Sequence, residues 1–478
     1  MARRQDFTNF FIYRWRYILG YGLVGLILAG VLAFAGAFVP GGLSSAEQAS
    51  VVRSESLTVG DISTFAIPHV PYHILQAGSL ELFGATEFSI KLPSLVLGLL
   101  AAIGLVLLLR RWFKPNIAVL ASLIAVTTGQ FLFIAQSGTP SIMYIFWPVA
   151  LLLVGTQVTR STRFRFLWKL LFAATVAGSL YTPLGIYPLL AILLTIALHP
   201  HLRNAARRLS KVRVLTAGAV ATLVIAPLVL AIVSQPTLGL TLLGVPSTWP
   251  PDLLANLTRQ LEQYFLFWAP NATTLLTPVF GLGSMLLIFL GIRELIKTRA
   301  TTHSYLIMCW VLILVPVLLM NPALTTVVFV PAVLLLATGL TSLIRYWYRL
   351  FPLNPYARIA GLVPLIVLVA VLIGSGLDRY AYGYYYSPSI STNFSQDLDL
   401  IPSNTKQIVV AEKEEAFYTA LATYRTSLEI VETPTDDKVL VTRAAREAVG
   451  EDYVITNIIT STYKNNADRF YEYQKSTD

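Results

Sequence analysis

Residues 38–93 read FVPGGLSSAEQASVVRSESLTVGDISTFAIPHVPYHILQAGSLELFGATEFSIKLP. This is a polar interval between two apolar runs, Tyr17–Val39 and the one opening at Ile90. It holds the carboxylates Glu47, Glu55, Asp61, Glu81 and Glu87, the histidines His69 and His73, and only two permanent cations, Arg53 and Lys91. Function concentrates in loops carried by a rigid scaffold. An acidic interval flanked by hydrophobic spans is therefore the place to look for chemistry.

The flanks decide the fold class. The chain has 478 residues, of which 55% are hydrophobic and 13% charged, against about 25% charged in an ordinary soluble domain. Apolar runs near 17–39, 90–109, 116–136, 141–158, 168–181, 183–198, 214–234, 273–292, 304–320, 323–343 and 359–377 predict about eleven transmembrane helices. The fifth and sixth are short and share the break Tyr181–Pro183. The first, behind Arg3, Arg4, Arg14 and Arg16, is longer than a cleaved leader's apolar core and reads as a retained anchor. The single cysteine, Cys309, lies in an apolar run and reads as packing.

Charge orients the spans. Residues 1–377 carry 25 Lys and Arg against 9 Asp and Glu, and 22 of those 25 cations fall in clusters on one side of the predicted membrane. Only Arg53, Lys91 and Arg259 lie opposite. The positive-inside rule then gives an N-in, C-out topology. The net charge of +10 belongs to these membrane-flanking loops, which excludes nucleic acid as the partner. Residues 40–89 become a first outside loop. Residues 235–272 become a second, whose aromatics read first as a belt at the membrane interface, while Asp252–Trp268 also has the helical spacing of a segment lying in the interface plane.

From residue 378 the composition changes to 16 acidic against 10 basic residues. Segments KQIVVA, SLEIVET, DKVLVTR and DYVITNIIT read as strands, and 414–424 as a helix. Residues 378–478 are thus expected to form a small extracytoplasmic α/β domain, separable from the membrane domain of residues 1–377. It shows no phosphate-binding loop and no metal-ligand spacing.

One stretch carries a resemblance. Pro68-His69-Val70-Pro71-Tyr72, Leu82-Phe83-Gly84 with Glu87-Phe88, and Lys91-Leu92-Pro93-Ser94 resemble motifs of the GT-C superfamily. The likeness is to its branch of polyprenyl-phosphate-sugar-dependent protein O-mannosyltransferases and lipid A aminoarabinose transferases. It covers roughly residues 38–150. It implies a multi-pass cell-membrane enzyme with its site on the extracytoplasmic face. Such an enzyme moves a sugar from a polyprenyl-phosphate donor to a hydroxyl on a lipid, glycan or protein, with inversion. Members of the superfamily usually carry an Asp-Glu pair after the first span; here Ala46 stands at the Asp and Glu47 at the Glu. An Arg usual after the third span is replaced within Gln136–Ser141, and a late Arg-Tyr within Met320–Thr326.

Transfer from a lipid phosphate needs a base for the acceptor hydroxyl and donors or cations for the leaving phosphate. Glu47 is the candidate base. As an exposed loop carboxylate, its conversion to Gln should change stability by less than ~1 kcal/mol. It also reads as a first-turn helix acid behind a Ser44 or Ser45 cap. Asp61 is a second candidate acid. Lys91 could face phosphate, or snorkel to the interface. Arg53 and Arg259, the other outside cations, are candidates for the donor phosphate. His69 and His73, four apart on one helix face, suit hydrogen bonding to phosphate or sugar, or simple packing. As a metal pair they lack a third ligand, so a divalent ion is not indicated and no cofactor is expected. The alternative function is a non-catalytic relative or lipid-handling protein of the same fold. Coupled transport is disfavoured because the spans hold almost no ionisable residues.

Overall fold

A computed structural model describes residues 43–57, 62–160, 164–207, 211–267, 278–350, 362–385, 398–425, 428–460 and 468–476, with isolated positions between 22 and 33 and at 356 and 360. The predicted first span lies largely outside the described residues.

The interval after that span is mostly helical rather than a loop. It forms α1 (Ser45–Glu55), a 3₁₀ turn at Ile62–Phe65, α2 (Val70–Phe83) and the start of α3 (Glu87–Trp112). Local signals explain each start. Ser44 and Glu47 form a reciprocal capping box on α1, and Thr86 caps α3 with Ser89 in the matching position. Before α2, His69 takes a left-handed conformation (φ 63°) and Pro71 supplies the preset φ of a first turn.

The apolar runs become α3, α4 (Pro115–Val126), α5 (Gly129–Gln136), α6 (Met143–Arg160), α7 (Arg165–Ser179), α8 (Ile186–Leu198), α9 (Pro200–Arg207) and α10 (Lys211–Ser234). After α11 (Pro236–Leu243) and α12 (Leu253–Phe265) come α13 (Leu282–Lys297), α14 (Thr302–Met320), α15 (Phe329–Leu350) and α16 (Leu362–Tyr385). Among the described residues, six helices are long and apolar enough to cross a membrane. The pair α4 and α5, bent by 63° at Thr127–Thr128, makes a seventh if taken as one span. Thr127 and Thr128 turn their hydroxyls onto the carbonyls of Leu123 and Ala125, and Thr128 caps α5, so the break is written in side-chain hydrogen bonds. The helices α7 and α8 have 15 and 13 residues, and 13 residues rise only about 20 Å. The chain is a multi-pass membrane protein.

The segment expected to be the second outside loop is helical too. Asp252 caps α12 through the Ala255 N–H (3.0 Å). Its polar face, Asn256, Gln260 and Tyr264, hydrogen-bonds to residues 319–325, while Leu254, Leu257 and Leu261 face outward.

The predicted boundary at residue 378 falls inside α16, which runs on to Tyr385. Beyond it lies a five-stranded mixed sheet of order β2-β1-β3-β5-β4. Its strands are β1 (Gln407–Val409), β2 (Glu429–Val431), β3 (Lys438–Thr442), β4 (Tyr453–Thr460) and β5 (Asp468–Lys475). The helix α17 (Glu412–Tyr424) links the parallel β1 and β2. The sheet domain shares a hydrophobic core with residues 43–90: Leu43, Val51, Leu80 and Ile90 pack with Ile401, Phe417, Leu421 and Phe470. Leu398 N–H reaches Glu87 (3.3 Å) and Thr423 reaches Glu55 (3.3 Å) across the same seam.

Candidate active site

Three helices and one turn converge where α1 and α2 cross the start of α3. The turn is Ser137–Ser141, which follows α5. Glu47 lies at their meeting point and is 1% exposed. Its Oε2 accepts from Ser44 N (2.8 Å) and Ser44 Oγ (2.9 Å), and its Oε1 accepts from Gly138 N (2.6 Å). A carboxylate offers about four lone-pair positions. Three are filled, and the fourth, on Oε1, has no donor within hydrogen-bond distance among the described residues. Lys91 Nζ stands 4.0 Å from that same oxygen. The approach is tight enough to require glycine at 138: a Cβ there would lie 2.8 Å from Ile90 Cγ2 and 3.3 Å from Glu47 Cγ.

Glu47 is thus the first-turn acid of a capped helix and not an exposed loop carboxylate. The reason is local: the capping box turns it inward, and α1 buries that face against the 137–141 turn. Lys91 is also turned in, at 6% exposed, so it does not snorkel. Among the described residues these two are the only buried members of the Asp, Glu, Lys and Arg set.

Beside them runs a neutral polar network. Gln76, fully buried, donates from Nε2 to the carbonyls of Ile90 and Gly138 (both 3.0 Å). Its Oε1 accepts from Ser50 and Ser54 (both 2.7 Å). Ser54 Oγ also meets His73 Nδ1 at 2.8 Å. Tyr72 OH pairs with Ser94 (2.8 Å), whose hydroxyl reaches the Thr139 carbonyl (3.1 Å).

Both histidines are neutral. Burial pushes His69 down to about 3, helped by His73 and Arg53; burial pushes His73 down to about 4, helped by Arg53 and opposed by the Ser50 carbonyl. They can exchange hydrogen bonds with a phosphate but cannot neutralise it. His69 Nδ1 and His73 Nε2 have no partner among the described residues. No cluster of three or more metal-ligating side chains occurs among the described residues. The His69 ring meets Tyr144 edge-on at 5.3 Å. Tyr144 in turn lines an apolar crevice with Trp147, Pro148, Thr182 and Leu184.

The other predicted residues do not join this cluster. Arg53 is exposed on the last turn of α1, near enough to the histidines to act on them electrostatically. Arg259 is exposed on α12, whose polar face hydrogen-bonds to residues 319–325. Asp61 lies outside the described residues. Sequence reasoning missed Ser50, Ser54, Gln76 and Gly138. The signal for three of them was present as helical spacing: Ser50 and Ser54 are four apart on α1, and Gln76 is three beyond His73 on α2.

Residues 68–230 match the dolichyl-phosphate-mannose-protein mannosyltransferase family. The match takes in the histidines, Lys91 and Gly138, and begins after Glu47. Two crystal structures of ArnT from Cupriavidus metallidurans are similar in fold. The one bound to undecaprenyl phosphate has 14% identity and a TM-score of 0.53, covering 95% of this chain and 98% of that one. The apo structure gives 14% and 0.51, covering 96% and 98%. The fold is that of the GT-C glycosyltransferases. The Archaeoglobus fulgidus oligosaccharyltransferase is more distant, at 12% identity and a TM-score of 0.49, covering 88% of this chain and 65% of that one. No curated protein sequence matches the chain. The network described above lies where α1, α2 and the start of α3 meet, and the sheet domain packs against the same segment.

Proposed function

We propose that this protein transfers a sugar from a polyprenyl-phosphate donor to an acceptor hydroxyl on the extracytoplasmic side, in one inverting displacement. The observation that carries the reading is the buried Glu47–Lys91 pair, the only buried charges among the described residues, with one Oε1 lone pair open. An acid and a cation cost several kcal/mol each to bury, so a fold that keeps both at one spot uses them. Glu47 takes the acceptor's proton as the hydroxyl oxygen attacks the anomeric carbon. The bond from that carbon to the phosphate oxygen breaks, and the polyprenyl phosphate leaves with the electron pair. Lys91 faces the charge that develops on the leaving group. One buried carboxylate among the described residues suits a single displacement. His69 and His73, being neutral, hydrogen-bond phosphate or sugar; Arg53 and Arg259 meet the donor only at the rim.

The test is transfer from a radiolabelled polyprenyl-phosphate sugar in membranes carrying the protein, with the anomeric configuration of the product read by NMR. Inverted product supports the reading, and retained configuration overturns the single displacement. No transfer across a panel of donors and acceptors would instead make the chain a non-catalytic relative of the fold.

A further inference from the structure

Gln76 has a role that hydrogen counting makes specific. Both groups at its Nε2 are carbonyl oxygens and both at its Oε1 are hydroxyls, which fixes the orientation of the amide. Ser54 has one hydroxyl hydrogen, and its contacts at Gln76 Oε1 (2.7 Å) and the Ser50 carbonyl (2.9 Å) are both to oxygens that only accept. More of these contacts are filled when His73 Nδ1 supplies the hydrogen in its 2.8 Å contact with Ser54, and the Ser50 carbonyl that also faces His73 can only accept. A neutral imidazole carries one N–H, so His73 Nε2 is bare. At the other end of the amide, Gln76 holds the carbonyl of Gly138 while the N–H of that same residue holds Glu47 Oε1. Moving Gly138 would move the donor that leaves one Oε1 lone pair open.

We infer that Gln76 is the positioning residue of this site: it orients Gly138 against Glu47 and fixes His73 as the Nδ1–H tautomer. It touches neither reacting atom. The same amide therefore sets a carboxylate acceptor on one side and an imidazole acceptor on the other. It sits on α2 and its partners lie on α1, α3 and the 137–141 turn, so four elements meet at one side chain. The inference deepens the proposed transfer reaction and, for its catalytic half, rests on it.

Two measurements test it. The first is the ¹⁵N spectrum of the full-length protein labelled at its five histidines, with H73Q used to assign His73. A protonated Nδ1 and bare Nε2 at neutral pH are expected, and a protonated Nε2 overturns the inference without any reference to activity. The second is a kinetic cycle of Q76L and E47Q. Acting through Glu47, Gln76→Leu should lower kcat about tenfold or more in the wild-type background with little change in donor KM. It should lower kcat less than about twofold in the E47Q background, because residues acting as a unit are not additive. Equal losses in both backgrounds would mean that Gln76 only supports the fold. Should Q76L fail to fold, S54A serves in its place for the tautomer measurement, because it removes the hydroxyl that joins Gln76 to His73 and leaves the Gly138 clamp. A raised share of the Nε2–H tautomer is then expected; an unchanged tautomer overturns the inference. A wild type without transfer activity sinks the reaction and leaves the tautomer measurement standing.

Discussion

Replacing Glu47 by Gln tests the site and its energetics together. The amide oxygen of Gln can satisfy either the Ser44 pair or the Gly138 N–H, but not both. Whichever it takes, the NH₂ group then faces a backbone donor. An unsatisfied buried donor costs ~1–3 kcal/mol, and Lys91, buried 4.0 Å away, loses its counter-charge. Breaking a buried pair from one side costs ~3–5 kcal/mol. The expected destabilisation is thus roughly 3–5 kcal/mol, where an exposed loop position would give less than ~1 kcal/mol. Catalysis should fall by ~10²–10⁴ if the base is lost. These losses separate in a second variant. E47Q/K91M removes the stranded cation and should recover part of the stability while transfer stays lost. The assays are thermal unfolding in detergent and radiolabelled sugar transfer at a temperature where each variant is folded. Glu47→Gln with an unchanged Tm and activity within tenfold of wild type would refute both the burial argument and the base assignment.

Three further outcomes follow. His69 and His73 have folded pKa values of about 3 and 4 against 6.5 in free imidazole, so below pH 6.5 the unfolded chain binds more protons. Stability should hold above that pH and fall on acidification by up to about 2.7 kcal/mol per unit for the two together, down to pH about 4; H69Q/H73Q should flatten the denaturant-midpoint profile. Phe417, 3% exposed in the core shared with Val51 and Leu80, should cost ~3–5 kcal/mol on truncation to Ala. Because α1 leans on that core, F417A should also lower transfer; a purely local loss, with α1 protected from hydrogen exchange as in wild type, would make the sheet domain a separable accessory. A reporter fused after Asp478 should be external and one at Asn204 cytoplasmic, and a cytoplasmic signal at the C-terminus would reverse the proposed orientation.

The membrane class was legible because it rests on summed hydropathy, which tolerates errors at any one residue. The strands β1 to β4 and the helix between the first two were legible for the same reason, through β-branched runs and apolar periodicity. Strand β5 was not. Its residues, DRFYEYQK, alternate charge with aromatics, and only pairing with β3 and β4 makes it a strand. In the sequence Asp378 and Arg379 look like the end of a span; in the structure Arg379 sits inside α16 and donates to the Pro278 carbonyl.

The site divides along the same line. Glu47 and Lys91 could be named from charge type and a family motif, since both signals are local. Their burial could not, because it depends on residues 91 and 44 positions apart meeting through Gly138. A small polar residue such as Ser50, Ser54 or Gln76 carries no hydropathy signal of its own; its burial becomes tolerable only once every donor has an acceptor. Here the partners come from four elements separated by up to 62 positions in the chain. That dependence constrains mechanism as well as prediction. Removing the Gln76 carboxamide takes a partner from two carbonyls and two hydroxyls together, so the network holds α1, α2, α3 and the 137–141 turn as one unit. This common hold, more than any single contact, keeps Gly138 against Glu47 Oε1 beside Lys91.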